Sequence, residues 1–441
     1  MKTSTWFQNT WDSFKSNFWF LPASMSLAAM LTCLVLLAID RKTGFMLPSM
    51  GAGSLNAMRS ILAVLIGALV TALSIAFSST VVVLTLAASQ LGPRLLRIYV
   101  RDRSNQALIG VFSSTVFYNL TALFVVGRLD ETGGVPNLTV LGAFGMTCAA
   151  LFVLIYFIHH VARSIQAPNV ILSVASELRT LISVTYPANG GKGAGSLARD
   201  PEEIAAKLQP ERGPVTATRS GYVQAVDGKS LARLGEAYSC TVRTMCKPGD
   251  FVMEGSPLAV IHGKEPPDED IFGRVAGGFI LGDNRTATQD VEFVLMELVE
   301  IAVRALSPGI NDPFTARTCV DRLTEALCML SDRSEPPMFK YGENGKLVLV
   351  LRQTGFDDFC DAAFNQVRRH ASHEASVLIH LLESFEKVMK HTEKRSHRQY
   401  VWKHACMVQR AGEQLAEPED AAEVEKRFQK VAAVFKEEDA S

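Results

Sequence analysis

Charge is absent from four long stretches of this 441-residue sequence. Asp, Glu, Lys and Arg are all missing from Phe18–Ile39, Ser60–Gln90, Gln106–Val126 and Asn137–Ile158. The hydrocarbon core of a bilayer is about 30 Å thick and needs about 20 apolar residues in a helix. A surface helix of a soluble domain carries charged residues on its outer face. The missing charges therefore predict four transmembrane helices and argue against a protein made only of globular domains.

Closely spaced cysteines are also missing. The eight Cys residues are scattered and none forms a CxxC pair, while Cys33 and Cys148 lie inside apolar stretches. Small secreted domains use closely spaced cysteines as a disulfide framework. No such framework is expected here, and the thiols are predicted to be reduced.

The chain contains no motif of a common enzyme class. A phosphate-binding loop, a GxGxxG turn and a GxSxG nucleophile motif are all absent. His370 and His373 stand three residues apart, so they could share a helix face and a metal ion, but their acidic neighbours match no metal-binding pattern. We therefore predict no catalytic residue, no metal site and no cofactor.

The net charge of −1 hides a division of the chain into two parts. Met1–Ser176 contains 11 Lys and Arg against 5 Asp and Glu, whereas the remainder contains 33 basic and 40 acidic residues. A basic, apolar part followed by an acidic, charged part is typical of a membrane domain joined to a cytoplasmic domain. Because the second part has no net positive charge, binding to nucleic acid is not expected.

The basic residues of the loops predict the orientation in the membrane. With four spans, both termini lie on the same side as the loop between the second and third spans. That side carries Lys2, Lys15, Arg94, Arg97, Arg101, Arg103 and Arg163, and the other side carries Arg41, Lys42, Arg59 and Arg128. Basic residues are in excess in cytoplasmic loops. The bias predicts that both termini lie in the cytoplasm.

The second span differs from the others in its length and pattern. Its 31 uncharged residues would make a helix about 45 Å long, which exceeds the bilayer core. Small and polar residues fall within a narrow arc of this helix at about 100° per residue: Gly67, Thr71, Ser74, Ser78, Thr85 and Ser89. Such a stripe could pack closely against another helix or, repeated around an oligomer, line an aqueous path. Candidate pore-lining residues are Thr71, Ser74, Ser78, Thr85 and Ser89.

A basic cluster follows the second span. It consists of Arg94, Arg97, Arg101 and Arg103. Arginines next to a span commonly set its orientation and contact anionic lipid headgroups. The same residues could instead attract anions to the mouth of a pore. The sequence leaves both interpretations open.

Turn signals and changes of period divide the chain into four regions. These are a transmembrane domain at 1–165, a helical linker at 166–211, a small β module at 212–265 and a mostly helical cytoplasmic domain at 266–441. In the β module, short strands such as Gly221–Val226 alternate with turns such as Lys247–Asp250. This segment resembles the biotinyl/lipoyl-type barrel-sandwich hybrid, without a tripeptide that presents a modifiable lysine. The predicted fold class is therefore membrane α-helical with a cytoplasmic α+β region.

A helical hairpin is predicted in the last region. Thr286–Gln289 is similar to a capping box and is expected to open a helix that continues to Leu306. SPGINDP, at Ser307–Pro313, forms the turn, in which Asp312 is a good N-cap for the next helix. Alternatively, Ser307, Asn311 and Asp312 form a ligand-binding loop.

Three segments of the chain resemble one protein family. They are SSTVVVLTLAASQLGPR at Ser78–Arg94, RTATQDVEFVLMELVEIAVR at Arg285–Arg304 and ALSPGINDPFTA at Ala305–Ala316. Together they resemble a bacterial family of predicted membrane proteins catalogued as domain of unknown function 2254. The resemblance covers nearly the whole chain and implies a membrane protein, but it implies no activity and no functional residue.

Two functions are compatible with the sequence. The first is a homo-oligomeric ion channel or pore, in which the second span lines the path and the cytoplasmic region assembles or regulates it. The second is a non-transporting scaffold or sensor that binds a partner or lipid through the cytoplasmic region. The expected partners are the lipid bilayer, further copies of the chain and small ions.

Overall fold

The computed structural model describes eight stretches of the chain, at residues 19–43, 55–92, 103–128, 136–164, 166–186, 208–264, 269–333 and 338–440. The chain divides into two compact units, Met1–Val170 and Ile171–Ser441. The first is named the membrane unit below, and the second is named the C-terminal unit.

The described part of the membrane unit consists almost entirely of four long apolar helices. They are α1 (Phe20–Thr43), α2 (Leu55–Leu91), α3 (Arg103–Val126) and α4 (Asn137–Ser164). All four are long and apolar enough to cross a membrane, with mean hydropathies of 1.7 to 2.5 in their most apolar windows. The four long apolar helices predicted for this part of the chain are confirmed. The longest is α2, with 37 residues, so the unusual length predicted for the second span is confirmed as well.

The helix α3 forms the centre of the membrane unit and contacts α1, α2 and α4. The largest fully buried side chains here, Phe112 and Tyr118, belong to it. The Tyr118 hydroxyl donates to the Thr139 carbonyl oxygen of α4 at 3.0 Å. Gly142 lies directly against the same hydroxyl, where a Cβ atom would overlap it. A small residue at position 142 therefore lets the two helices approach closely.

The described strands of the C-terminal unit form two sheets. The strands are β1 (Glu211–Thr216), β2 (Gly221–Val226), β3 (Thr241–Thr244), β4 (Phe251–Val252), β5 (Pro257–His262), β6 (Phe279–Gly282), β7 (Phe339–Tyr341) and β8 (Leu347–Val350). One sheet has the order β1-β5-β3-β8-β7 and the other β4-β2-β6. Only β3 and β8 pair in parallel. Val223, Val242 and Ile261 belong to the apolar core of this β region, together with residues of α6 (Gly228–Ala237) and α7 (Glu269–Ala276).

The sheets draw on more of the chain than the predicted β module. The strand Gly221–Val226 and the turn at Lys247–Asp250 occur as expected. However, β6 and the β7–β8 hairpin come from beyond residue 265, and α6 was not predicted. The parallel pairing of Val242 with Leu349 joins distant parts of the chain, which a local pattern does not reveal. The structure confirms the α+β class, whereas the barrel-sandwich hybrid stays a prediction.

Helices make up the rest of the described C-terminal unit. They are α8 (Val291–Ala305), α9 (Pro313–Ser331), α10 (Phe356–His370), α11 (Ala375–His391), α12 (Arg395–Gly412) and α13 (Pro418–Ala440). The helix α5 (Ala167–Thr185) lies in the predicted helical linker, and the boundary between the two units falls within it. Residues 187–207 of that linker lie outside the described residues.

The first helix of the predicted hairpin begins later than its capping pattern suggested. It starts at Val291, and the Asp290 carboxylate accepts a hydrogen bond from the Phe293 backbone N–H at 2.9 Å. Gln289 uses its amide elsewhere: its Oε1 accepts from the Val226 backbone N–H at 3.0 Å. The correct N-cap is therefore Asp290, because the Gln289 side chain has a tertiary partner on β2.

Candidate functional site

The stripe of small and polar residues lies on an exposed face of α2. Gly67, Thr71, Ser74, Ser78, Thr85 and Ser89 are all exposed. The other side of the helix buries Leu62, Leu69 and Leu84. In its most apolar window, α2 is 11% buried, compared with 44% for α3. Packing within one chain therefore does not account for the stripe.

The hydroxyl groups of the stripe are bonded to the backbone of their own helix. Thr71 donates to Gly67, Ser74 to Val70 and Thr85 to Val81, each at 2.8 Å to the carbonyl oxygen four residues earlier. These bonds satisfy the hydroxyl donors inside a membrane. Each hydroxyl oxygen still has lone pairs that can accept from water or another helix. The stripe can thus lie in lipid, in a helix interface or beside water.

Gly67 has no steric role among the described residues of the chain. A Cβ atom built there would have no described atom within 4 Å apart from its own surroundings in the helix. Glycine in a helix interior costs about 1 kcal/mol relative to alanine. No contact with another described residue offsets the cost of this glycine in the stripe.

Two charged residues cap helix ends in the membrane unit. The buried Asp40 carboxylate at the end of α1 accepts from the backbone N–H groups of Leu138 and Thr139, at 3.0 and 2.9 Å, and from the Thr139 hydroxyl. The Arg59 guanidinium donates to the Val126 carbonyl oxygen, at 3.0 and 3.2 Å, at the end of α3. An anion at a helix N-terminus and a cation at a C-terminus both complement the helix dipole. Neither capping role is evident from the local sequence, because each cap joins residues that are far apart in the chain.

Buried polar groups inside the membrane unit are mostly amides and hydroxyls. The Asn119 amide nitrogen on α3 approaches the Thr147 hydroxyl on α4 at 3.5 Å, and its Oδ1 atom has no hydrogen-bond partner among the described residues. Apart from Asp40, the buried polar residues described here are Ser26, Thr80, Asn105, Ser114, Thr115, Asn119, Asn137, Thr139 and Thr147. Proton pumps and carriers of charged substrates place ionisable groups in the membrane. The described interior has no Asp, Glu, Lys, Arg or His in the middle of a span.

The predicted basic cluster falls largely outside the described residues. Arg94, Arg97 and Arg101 are not described, and Arg103 is the exposed first residue of α3. Contact of these four residues with anions or lipid therefore stays a prediction.

The candidate ligand loop uses several of its polar groups to hold its own shape. The Asp312 carboxylate caps α9 by accepting from the Thr315 backbone N–H at 3.1 Å and from the Thr315 hydroxyl at 2.6 Å. The Ser307 hydroxyl donates to the Arg304 carbonyl oxygen at 2.6 Å. Asn311 has a positive φ of 50°, which asparagine tolerates better than most residues. These contacts give the loop a turn-forming role, and ligand binding by it stays a prediction.

Histidines in the C-terminal unit join helices through carboxylates. His380 of α11 contacts Asp321 of α9 at 2.9 Å, and His404 of α12 contacts Asp361 of α10 at 3.1 Å. Burial lowers the pKa of His404 to about 4, although the Asp361 charge acts in the opposite direction. The His370 Nδ1 atom lies 2.9 Å from the Gln366 carbonyl oxygen. Among the described residues, no group of three His, Cys, Asp or Glu could hold a metal ion.

A network of ion pairs joins the β region to the start of α8. Asp290, with a side chain only 3% exposed, pairs with the Arg285 guanidinium at 2.7 Å. Lys247, in the turn before β4, pairs with Glu292 at 3.1 Å and donates to the Thr354 hydroxyl at 2.9 Å. Gly249, in the same turn, lies directly against the Asp290 carboxylate. Residues Arg285–Glu292 therefore attach the helical part of this unit to the strands.

Two cavities of ligand size lie at this part of the C-terminal unit. One has a volume of about 380 Å³ and contains Lys247, Asp290 and Arg352 in its lining. The other has a volume of about 290 Å³ and contains Arg243 and Arg352. Sequence analysis predicted none of these as ligand residues, because they come together from separate segments.

Comparison with known proteins agrees with the membrane architecture. The model of the family described as predicted membrane protein (DUF2254) matches residues 15–387. Uncharacterized proteins of Mycobacterium bovis and Mycobacterium tuberculosis are each 30% identical to the chain over 420 residues, which cover 94% of this chain and 80% of theirs. No solved structure matches the chain. Since the family model spans most of the sequence, including all four apolar helices, the chain belongs to the DUF2254 family of predicted membrane proteins.

Proposed function

We propose that copies of this chain assemble in the bacterial inner membrane into an ion-conducting pore lined by the stripe of α2. The supporting observation is the exposure of that stripe on the side of α2 away from Leu62 and Leu69. A neighbouring α2 helix could approach this face closely, because its residues are small. Around a symmetry axis, the same hydroxyls would face water.

The chemistry of the stripe fits a path for small ions. Thr71, Ser74, Ser78, Thr85 and Ser89 carry no charge, so the lining would offer hydroxyl oxygens and no fixed charge. Selection of ions would then depend on the width of the path and on the groups at its mouths. Arg94, Arg97 and Arg101 would lie at the cytoplasmic mouth if both termini are cytoplasmic, as the positive-inside rule predicts.

A non-transporting scaffold or sensor is the second candidate. The observation that favours it is the bonding of the Thr71, Ser74 and Thr85 hydroxyls to their own backbone. Hydroxyls that are satisfied in this way can pack in a dry interface between helices. In that arrangement the C-terminal unit would bind a partner or lipid, and no ion would cross. Neither candidate involves catalysis or nucleic acid.

Accessibility of adjacent cysteines separates the two candidates. Ser78 lies in the stripe, whereas Ser79 is also exposed but lies about 100° further around the helix. In liposomes containing the protein, we expect ion flux. A water-soluble thiol reagent should inhibit the Ser78→Cys variant and leave Ser79→Cys unaffected, because only the first side chain faces the path. Because Cys33 and Cys148 also carry thiols that can react, inhibition of each variant is compared with that of the wild-type protein treated with the same reagent.

Two results of this experiment would contradict a pore lined by the stripe. Absence of flux for wild-type protein across different ions, voltages, pH values and membrane tensions would refute the pore and favour the scaffold. Equal inhibition of Ser78→Cys and Ser79→Cys would also refute a path lined by the stripe.

Assembly through α2 is tested by replacing exposed glycines. Gly67 of α2 and Gly145 of α4 both have open space where a Cβ atom would stand. The Gly67→Leu variant should dissociate the oligomer, because the larger side chain prevents close approach of neighbouring α2 helices. Gly145→Leu, an equal change on another span, should leave assembly intact. The particle mass in detergent measures this, and a strictly monomeric wild-type protein would contradict the proposal.

A further inference from the structure

The smaller cavity of the C-terminal unit has an unusual charge. Its volume is about 290 Å³, and Arg243 and Arg352 are the charged residues among the described residues of its lining. Apolar side chains, including Met245, Met338 and Phe339, contribute to its walls. A small cavity whose described lining combines two cations with apolar walls suits an anion that carries an apolar group.

Strand register explains why these residues meet. In the five-stranded sheet, Val350 of β8 is paired with Arg243 of β3 on one side and with Phe339 of β7 on the other. Paired residues on neighbouring strands point to the same face of a sheet. Arg352 follows Val350 by two residues, just after the carboxyl end of β8. Because β3 and β8 run in parallel, both strands end at this edge of the sheet.

Neither of the two guanidinium groups has a carboxylate partner among the described residues. By contrast, Arg285 pairs with Asp290, and Arg427 pairs with Glu383. The backbone of Arg243 pairs within the sheet, but its guanidinium makes no hydrogen bond with any described residue. Arg352 is held in place, since its backbone N–H donates to the Thr244 hydroxyl at 2.8 Å and its guanidinium donates to the Met245 carbonyl oxygen at 3.0 Å.

The half-buried Arg243 and the exposed Arg352 bring two positive charges to one cavity. A bound anion would be attracted by both charges. Arg352 is already oriented by its contact with Met245, and a guanidinium presents five N–H donors in a planar group. Most of its donors therefore stay available to a ligand. Such groups match the oxygens of phosphate in two-point contacts.

We propose that this cavity binds a phosphate monoester, with the phosphate held between Arg243 and Arg352 and an apolar or aromatic group against Met245, Met338 and Phe339. The site is separate from the stripe of α2 and does not depend on the pore. Two kinds of molecule share this chemistry, a nucleoside monophosphate and a lipid phosphate. The small volume favours a ligand with one phosphate and a compact body.

Binding to the full-length protein in detergent tests the site. The probes are inorganic phosphate, adenosine monophosphate and the short-chain lipid dihexanoyl phosphatidic acid, each titrated to millimolar concentration by isothermal calorimetry. We expect at least one organic phosphate to bind more tightly than inorganic phosphate, because of the apolar walls. The probe that binds best distinguishes a nucleotide from a lipid ligand.

Charge-removing variants locate the binding. Arg243→Gln and Arg352→Gln should each lower the affinity for the best-binding probe about tenfold or more, as expected for loss of a charged hydrogen-bond partner. Arg233→Gln is the matched control, because Arg233 is an exposed arginine of the same unit outside the cavity lining. The affinity of the Arg233→Gln variant for the same probe should equal that of the wild type. Circular dichroism of each variant checks that the fold is retained.

Two results would overturn the proposal. One is the absence of measurable binding of all three probes to the wild-type protein. The other is binding whose affinity is the same in the Arg243→Gln, Arg352→Gln and Arg233→Gln variants, since the ligand would then lie elsewhere.

Discussion

Replacement of Gly249 by alanine should destabilise the C-terminal unit far more than the same change at Gly255. Both glycines have positive φ angles, 97° at Gly249 and 81° at Gly255. Both also donate a backbone hydrogen bond within the β region, to Val223 and Ala217 respectively. They differ in surroundings. A Cβ atom at Gly249 would overlap the Asp290 carboxylate and lie 2.8 Å from an Arg285 nitrogen, whereas at Gly255 it would meet nothing within 4 Å.

The surroundings of the two glycines set how much each substitution lowers the free energy of unfolding. An alanine with a left-handed backbone costs about 1–2 kcal/mol, which applies to both positions. Overpacking of a buried site adds about 1–3 kcal/mol, and only Gly249 incurs it. The backbone of the turn cannot move freely, because Lys247 beside it is held by Glu292 and Thr354. The Asp290–Arg285 pair must therefore shift, and its carboxylate also caps α8.

Thermal unfolding of the purified protein in detergent, followed by circular dichroism, measures the difference. For domains of 150–250 residues, 1 kcal/mol corresponds to about 2–4 °C in Tm. We expect the fall in Tm for Gly249→Ala to be about twice that for Gly255→Ala or more. Gly309→Ala, with open space and no positive φ, should leave Tm nearly unchanged. Equal effects at Gly249 and Gly255 would refute the steric role assigned to Asp290.

Two further predictions concern a helix cap and a buried histidine. Asp40→Ala should lower the stability of the membrane unit in detergent by about 1–2 kcal/mol, because α4 loses its N-terminal acceptor; Asp40→Asn should cost less, and equal losses would contradict the capping role. Burial lowers the pKa of His397 to about 4 from 6.5, so the unfolded chain takes up the proton first. Stability should be full above pH 6.5 and fall towards pH 4 by up to about 1.4 kcal/mol per pH unit. Between pH 6.5 and 4, the free energy of unfolding of His397→Gln should fall less steeply with decreasing pH than that of the wild type. An unchanged slope would exclude His397 as the cause.

Local patterns predicted the helices of the chain well. The four apolar helices and the helix capped by Asp312 all occur close to their expected positions. These features depend on hydropathy and on residues within one turn of each other. The start of α8 was placed too early, because Gln289 bonds to Val226 instead of capping the helix.

The cavity residues could not be predicted in the same way. Arg243 and Arg352 are ordinary arginines in sequence, and neither lies in a binding motif. They come together because β3 and β8 pair in parallel, with Arg243 opposite Val350. The short apolar run at Lys346–Leu351 favours a strand, but no local pattern indicates which strand pairs with it. Pairing between distant strands depends on the whole sheet and not on local spacing.

Sequence alone determined the membrane character of this protein and the position of the polar stripe on α2. Both follow from the chemical nature of residues along one helix, which needs no neighbour to define it. Only the tertiary structure decided that the stripe is exposed, since burial of Leu62 and Leu69 on the other face depends on how α2 packs within the membrane unit. It also decided which carboxylates neutralise which cations in the C-terminal unit. Arg285 has Asp290 within 2.7 Å, whereas Arg243 has no carboxylate partner among the described residues.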